Sequence, residues 1–151
     1  MITPTRLFDA KVRFSVQALT DVHFWEFDST MLRARLANDP HMLDAWANLI
    51  VAERQRHLGL LIDLGSCTAE ERIVHLLLDL SERLERRGIA FEGEVHLPLS
   101  QKIIAAATAL TPEYVSKIMT SFRRLGLLDT GKGSVTLLDV SGLQRLAALR
   151  Y

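Results

Sequence analysis

The segment Pro98–Leu128 constrains this chain most, because it reads as two short helices joined by a tight turn. Thr111 is an N-cap residue, and Pro112 follows at the first helical position, where a missing N–H costs nothing. Glu113 then complements the positive end of the helix dipole. Val115, Ile118, Met119 and Phe122 recur at three- and four-residue spacing, which predicts one buried face. The opposite face carries Glu113, Tyr114, Ser116, Lys117, Thr120 and Ser121, all hydrogen-bonding or charged. Upstream, Ser100 caps a shorter helix over Gln101–Ala107, whose Ile104 and alanines permit close packing. The spacing fits a helix-turn-helix whose second helix, residues 111–124, enters the major groove. It fits an ordinary helical hairpin in a core equally well.

The residues that follow separate the two readings. Leu125-Gly126-Leu127-Leu128 ends the second helix on glycine, Asp129–Lys132 runs into a Lys132-Gly133 turn, and Ser134–Leu138 has the β-branched content of a strand. A helix-turn-helix followed by a two-stranded ribbon is a winged helix. The run Leu97-Pro98-Leu99-Ser100-Gln101, Leu110-Thr111, Glu113, Val115-Ser116-Lys117, Gly126-Leu127-Leu128 and Leu138-Asp139 resembles the DNA-binding domain of the Crp/Fnr family. That family's pattern is leucine-threonine, arginine, glutamate, any residue, valine-serine-arginine. A second match lies at the other end of the chain. Arg13-Phe14-Ser15-Val16-Gln17-Ala18-Leu19-Thr20-Asp21 resembles the end of the family's sensor barrel, where a strand leads into alanine-leucine-threonine-aspartate.

The resemblance implies roles for named side chains and also marks departures. Three side chains of the second helix would reach base edges, at Pro112, Glu113 and Lys117. Glu113 can accept from a cytosine amino group. Lys117 stands for the usual arginine, so a bidentate fork becomes a point-charge donor. Pro112 replaces an arginine that contacts guanine, and Tyr114 replaces a small threonine. Ser100, Gln101 and Lys102 are placed for phosphate at the first helix's N-terminus, with Thr111, Ser116, Thr120 and Lys132 completing the expected DNA surface. Ala109 occupies the turn glycine's place, so the turn either avoids positive φ or carries about 1 kcal/mol of strain.

Charge is distributed accordingly. Residues 1–95 hold 11 Lys/Arg against 15 Asp/Glu, whereas residues 96–151 hold 7 against 3, so the net charge of +0 conceals a basic C-terminal part. Phosphate contact needs that sign.

Upstream of the winged helix the chain is expected to be mainly helical. Arg13–Leu19 and Val22–Phe27 read as short β segments, joined at Thr20-Asp21. Together with the resemblance they make residues 1–39 the remnant of a sensor β-roll, with most of the barrel lacking. The family's glycine-glutamate element for ribose and phosphate does not occur, and Arg13 reads as a solvated arginine. No cyclic-nucleotide site and no cofactor are expected. Ser29–Asn38 is a helix capped by Asp28 or Ser29, and Pro40–Leu64 is a second helix of roughly 37 Å. Leu43, Trp46, Ile50 and Leu60 share a coiled-coil-like register beside Leu49, with Glu53 and His57 at intermediate positions. In the family the matching helix, residues 40–66 here, forms the dimer seam. Glu53 and His57 either set register within it or lie at its solvent edge, the second being the expectation. Thr68 and Glu71 form a capping box ahead of Ile73, Leu76, Leu77, Leu80 and Leu84, opening a winged-helix domain over 67–151. Val95–Leu97 is a short strand and Val140–Leu149 a final helix.

Catalytic and metal chemistry are not expected. His23, His41, His57, His75 and His96 show no ligand spacing within a helix, and no nucleophile elbow or phosphate-binding glycine loop occurs. The single cysteine, Cys67, excludes a disulfide framework and reads as a reduced thiol in a cytoplasmic protein. No apolar run reaches membrane-spanning length. The overall expectation is an α+β, mainly helical, homodimeric regulator that binds double-stranded DNA and is not an enzyme. RNA polymerase is a further candidate partner. The alternative is an interaction module that pairs with longer family members without binding DNA.

Overall fold

The computed structural model describes Leu7 and residues 16–88 and 95–148. Two compact units divide between Leu61 and Ile62.

In the first unit, helix α1 (Ser29–Asn38) begins at Asp28, whose carboxylate accepts the backbone N–H groups of Thr30 and Met31, both at 2.9 Å. Of the two caps the sequence offers, the structure uses the aspartate. Helix α2 (Pro40–Ser66) starts one residue after α1 ends. Asp39 makes both boundaries, because a residue before proline is driven out of the helical region and adopts φ −131°, ψ 98°. Its carboxylate accepts the Met42 N–H at 3.1 Å, with Pro40 at the first helical position. The helix runs two residues beyond the expected Leu64.

Two expectations for this unit are corrected. Val22–Phe27 and the described part of Arg13–Leu19, residues 16–19, form no strand, and Phe24, Trp25 and Phe27 are exposed. A strand exists only against a partner for its ladder, and none is paired with these residues among those described. Residues 13–15 lie outside the described residues. Glu53, expected at a solvent edge, is buried, while His57 is exposed. Helical register gives a residue's direction around α2 but not what covers it.

The second unit builds one core from four helices and a small sheet. Helix α3 (Ala69–Glu85) opens with the expected capping box: the Thr68 hydroxyl accepts the Glu71 N–H at 3.3 Å, and Glu71 accepts the Thr68 N–H at 2.7 Å. Strand β1 (Val95–Leu97), helix α4 (Gln101–Thr108), helix α5 (Pro112–Arg124), strands β2 (Leu128–Gly131) and β3 (Ser134–Leu137), and helix α6 (Val140–Ala148) follow. The sheet is antiparallel in the order β1-β3-β2, with Leu97 opposite Val135 and both Val95 and Leu128 opposite Leu137. Because strand side chains alternate, Val95, Leu97, Leu128, Val135 and Leu137 all point inward. They meet Ile73, Val74 and Leu77 of α3, Ile104 of α4, Val115, Met119 and Phe122 of α5, and Leu143 of α6. Asp139 caps α6 by accepting the Gly142 N–H at 2.7 Å. The core therefore fixes α4 and α5 through one face each and leaves their other faces outward.

Candidate nucleic-acid interface

Helix α5 is held from both ends. At its start the Thr111 hydroxyl accepts the Tyr114 N–H at 3.3 Å, and Pro112 occupies the first turn. At its end Gly126 takes φ +71°. The Leu127 N–H then bonds the Phe122 carbonyl at 3.1 Å and the Gly126 N–H bonds that of Arg123 at 3.0 Å. Those two bonds are a Schellman termination, and buried Leu127 supplies its apolar contact.

With Val115, Ile118, Met119 and Phe122 buried, the outward side chains are determined. Pro112, Glu113, Tyr114, Lys117 and Thr120 are exposed, and Ser116 is half-buried. Glu113, Lys117, Thr120 and Arg124 follow one another at intervals of four, three and four residues, so they line one stripe. The Thr120 hydroxyl donates to the Ser116 carbonyl at 2.8 Å, which leaves its lone pairs, not its proton, facing outward. On α4 the half-buried Ser100 hydroxyl accepts the Ile103 N–H at 3.3 Å. It keeps its own proton to donate, and Gln101 and Lys102 are exposed beside it. Lys132 is exposed at the tip of the β2–β3 ribbon.

The turn between α4 and α5 is strained. Ala109 adopts φ 53°, ψ 44°, and it is the single non-glycine residue with positive φ among those described. The left-handed conformation lets the Leu110 N–H reach back to the Ala105 carbonyl at 3.0 Å. Arg72 of α3 steadies the same corner by donating from Nη1 to the Thr108 carbonyl at 3.0 Å.

Sequence reasoning missed two cations. Arg123 and Arg124 lie in the last turn of α5, where a cation also complements the helix dipole. In the structure they line an open groove with Thr120, His96, Thr136 and Asp129, between α5 and the sheet. Arg123 Nε pairs with Asp129 at 3.1 Å, and His96 Nδ1 lies 2.8 Å from the Thr136 hydroxyl. The interval of seven from Lys117 to Arg124 was the available signal. A second convergence also escaped, since helical spacing hides groups that meet across a turn: Asp63, Cys67 and His75 come together where α2 gives way to α3.

The Crp-like helix-turn-helix domain matches residues 71–146. The nitrogen fixation regulation protein FixK of Azorhizobium caulinodans is 34% identical over 137 residues, covering 90% of this chain and 55% of that protein. The transcriptional activator protein FnrA of Stutzerimonas stutzeri is 38% identical over 84 residues, 56% of this chain and 34% of its own. The chain thus spans about half the length, or less, of these curated relatives. Among solved structures, FixK2 of Bradyrhizobium japonicum superposes with a TM-score of 0.70 at 25% identity, covering 82% of this chain and 60% of that one. A CRP/FNR-family transcriptional regulator of Thermus thermophilus gives 0.61 at 28%, over 75% and 57%. From the capped α4–α5 pair, the β2–β3 ribbon and a domain match that takes in half of the sequence, the chain belongs to the Crp/Fnr family.

Proposed function

We propose that this protein is a sequence-specific DNA-binding transcriptional regulator that works as a homodimer, with residues 111–124 in the major groove. The observation that carries the proposal is α5 itself. One face is locked into the core, and the other presents Glu113, Lys117, Thr120 and Arg124 in a single polar stripe within the basic part of the chain. Lys117 serves as donor to guanine or phosphate and Glu113 as acceptor from cytosine. Ser100, Gln101 and Lys102, with Lys132 on the ribbon, position the backbone without reading sequence. The regulatory names borne by FixK and FnrA support a role in transcription. Such a role sets the protein in the cytoplasm and makes RNA polymerase a candidate partner.

The dimer contact assigned here is the 40–66 segment, with 1–39 before it and the winged helix over 67–151 after it. Support comes from α2, where Leu43, Leu49 and Leu60 are 47%, 48% and 46% exposed beside half-buried Trp46 and Ile50. A run of exposed leucines is unfavourable in water and is removed by pairing.

Binding of the purified chain to a labelled duplex, measured at several salt concentrations, tests the function. Counterion release predicts that log affinity falls linearly with log salt, and that Lys117→Ala lowers affinity. Absence of binding even at low salt would remove the proposal in favour of an interaction module that pairs with longer family members.

A further inference from the structure

Three ligand-type side chains of the second unit converge on one point away from the α4–α5 surface. Asp63 lies in the last turn of α2, Cys67 directly follows that helix with its N–H on the Asp63 carbonyl at 3.0 Å, and His75 comes from the second turn of α3. Asp63 Oδ1 lies 2.8 Å from His75 Nδ1 and accepts the Cys67 thiol proton at 3.5 Å. One oxygen, one sulfur and one imidazole nitrogen thus lie within 4.8 Å of one another, each on a half-buried residue. We propose that Asp63, Cys67 and His75 form a binding site for a zinc-type divalent cation, with water in the fourth position.

The donor set selects the metal. A thiolate and an imidazole favour a borderline-soft ion, whereas magnesium and calcium take oxygen ligands. Around tetrahedral zinc, bonds of about 2.0–2.3 Å place ligand atoms roughly 3.3–3.8 Å apart, so small side-chain movements suffice. A simple Asp63–His75 hydrogen bond would not require a thiol on the same carboxylate oxygen. Two further charges act on the thiol. Glu71 is engaged at the α3 N-cap and Arg72 is turned to the Thr108 carbonyl, and their effects on Cys67 oppose each other. Burial, then the bond to Asp63 and the charges of Asp63 and Glu71, push the thiol pKa up, with Arg72 pulling it down. The metal-free site therefore holds its proton. Binding exchanges the S–H bond for a metal–sulfur bond and releases the thiol proton to the buffer, while the imidazole proton that Nδ1 shares with Asp63 moves to Nε2 so that Nδ1 can ligate. The ion would tie the last turn of α2 to α3 across the turn at Cys67-Thr68. None of the three ligands lies on the DNA-facing surface, so failure of the DNA proposal leaves this one standing.

Cobalt(II) titration of the full-length, chelator-stripped protein is the test. Because Cys67 is the sole cysteine in the sequence, a thiolate-to-cobalt charge-transfer band reports on that residue alone. The expected result is a band that saturates at one equivalent, is bleached by zinc and is unaffected by magnesium. Cys67→Ser should abolish the band. His75→Gln and Asp63→Asn should each weaken zinc binding more than tenfold, since loss of groups that merely support a ligand already costs about that much. No charge-transfer band in the wild-type protein would overturn the proposal, whatever the variants do. So would zinc affinity unchanged in all three variants, because the ion would then sit elsewhere.

Discussion

Ala109 shows how far a single residue could be read in advance. Its place in the α4–α5 turn left two options, an ordinary turn or a strained one, and φ 53° establishes the second. Local sequence could not decide, because the conformation is imposed by α4 and α5 docking on a shared core, with Arg72 holding the Thr108 carbonyl from another helix. The strain lies in the clash of Cβ with the backbone, which glycine removes. Ala109→Gly should therefore stabilise the protein by about 1 kcal/mol, less what glycine's greater freedom returns to the unfolded chain. Urea denaturation would show a higher midpoint at unchanged slope; a lower midpoint would mean the left-handed alanine carries less strain than glycine's freedom in the unfolded chain costs. Glu53 was less legible. Its position on α2 was readable, but a helical register gives direction and not cover, so its burial could not be read.

Elements with chemically marked ends were the legible ones. Thr68 with Glu71, Ser100, Thr111 with Pro112, and Gly126 each announce a boundary through a hydrogen bond that only a few residue types make, and each is present. The segment 16–27 has β-type composition without any such marker. Its outcome depends on a partner strand, which composition cannot supply. The outward stripe of α5 was read through Thr120 but not as far as Arg124, whose charge also suits a helix end. If that stripe meets DNA as proposed, Glu113 and Lys117 have separable effects. Lys117→Ala should lower affinity for the cognate site by about 1–3 kcal/mol, while Glu113→Ala should chiefly relax base preference at one position. Competition of cognate against scrambled duplexes measures both, and equal losses on the two duplexes would make Lys117 a phosphate contact.

At the scale of the molecule, the opposed charges of the two parts and the exposed leucines of α2 are both visible in the sequence. What the leucines meet is not, since a self-complementary surface looks like any other apolar stripe until a second copy is present. Pairing through α2 predicts a dimer in sedimentation at micromolar concentration. Trp46→Ala should weaken it by about 3 kcal/mol if the ring becomes fully buried in the seam. A stable 17.0 kDa monomer would contradict the assigned interface. Dimerisation and groove reading together make the central claim, and selection from random duplexes tests both at once. Two recognition helices about 34 Å apart predict a palindrome with half-sites one turn apart and weak discrimination at the base pair facing Pro112. Pro112→Arg should add a guanine preference there, while Lys117→Ala and Glu113→Ala should erode the remaining consensus. The account is contradicted if wild type and the three variants recover the same consensus, or if no duplex is retained above nonspecific levels at physiological salt.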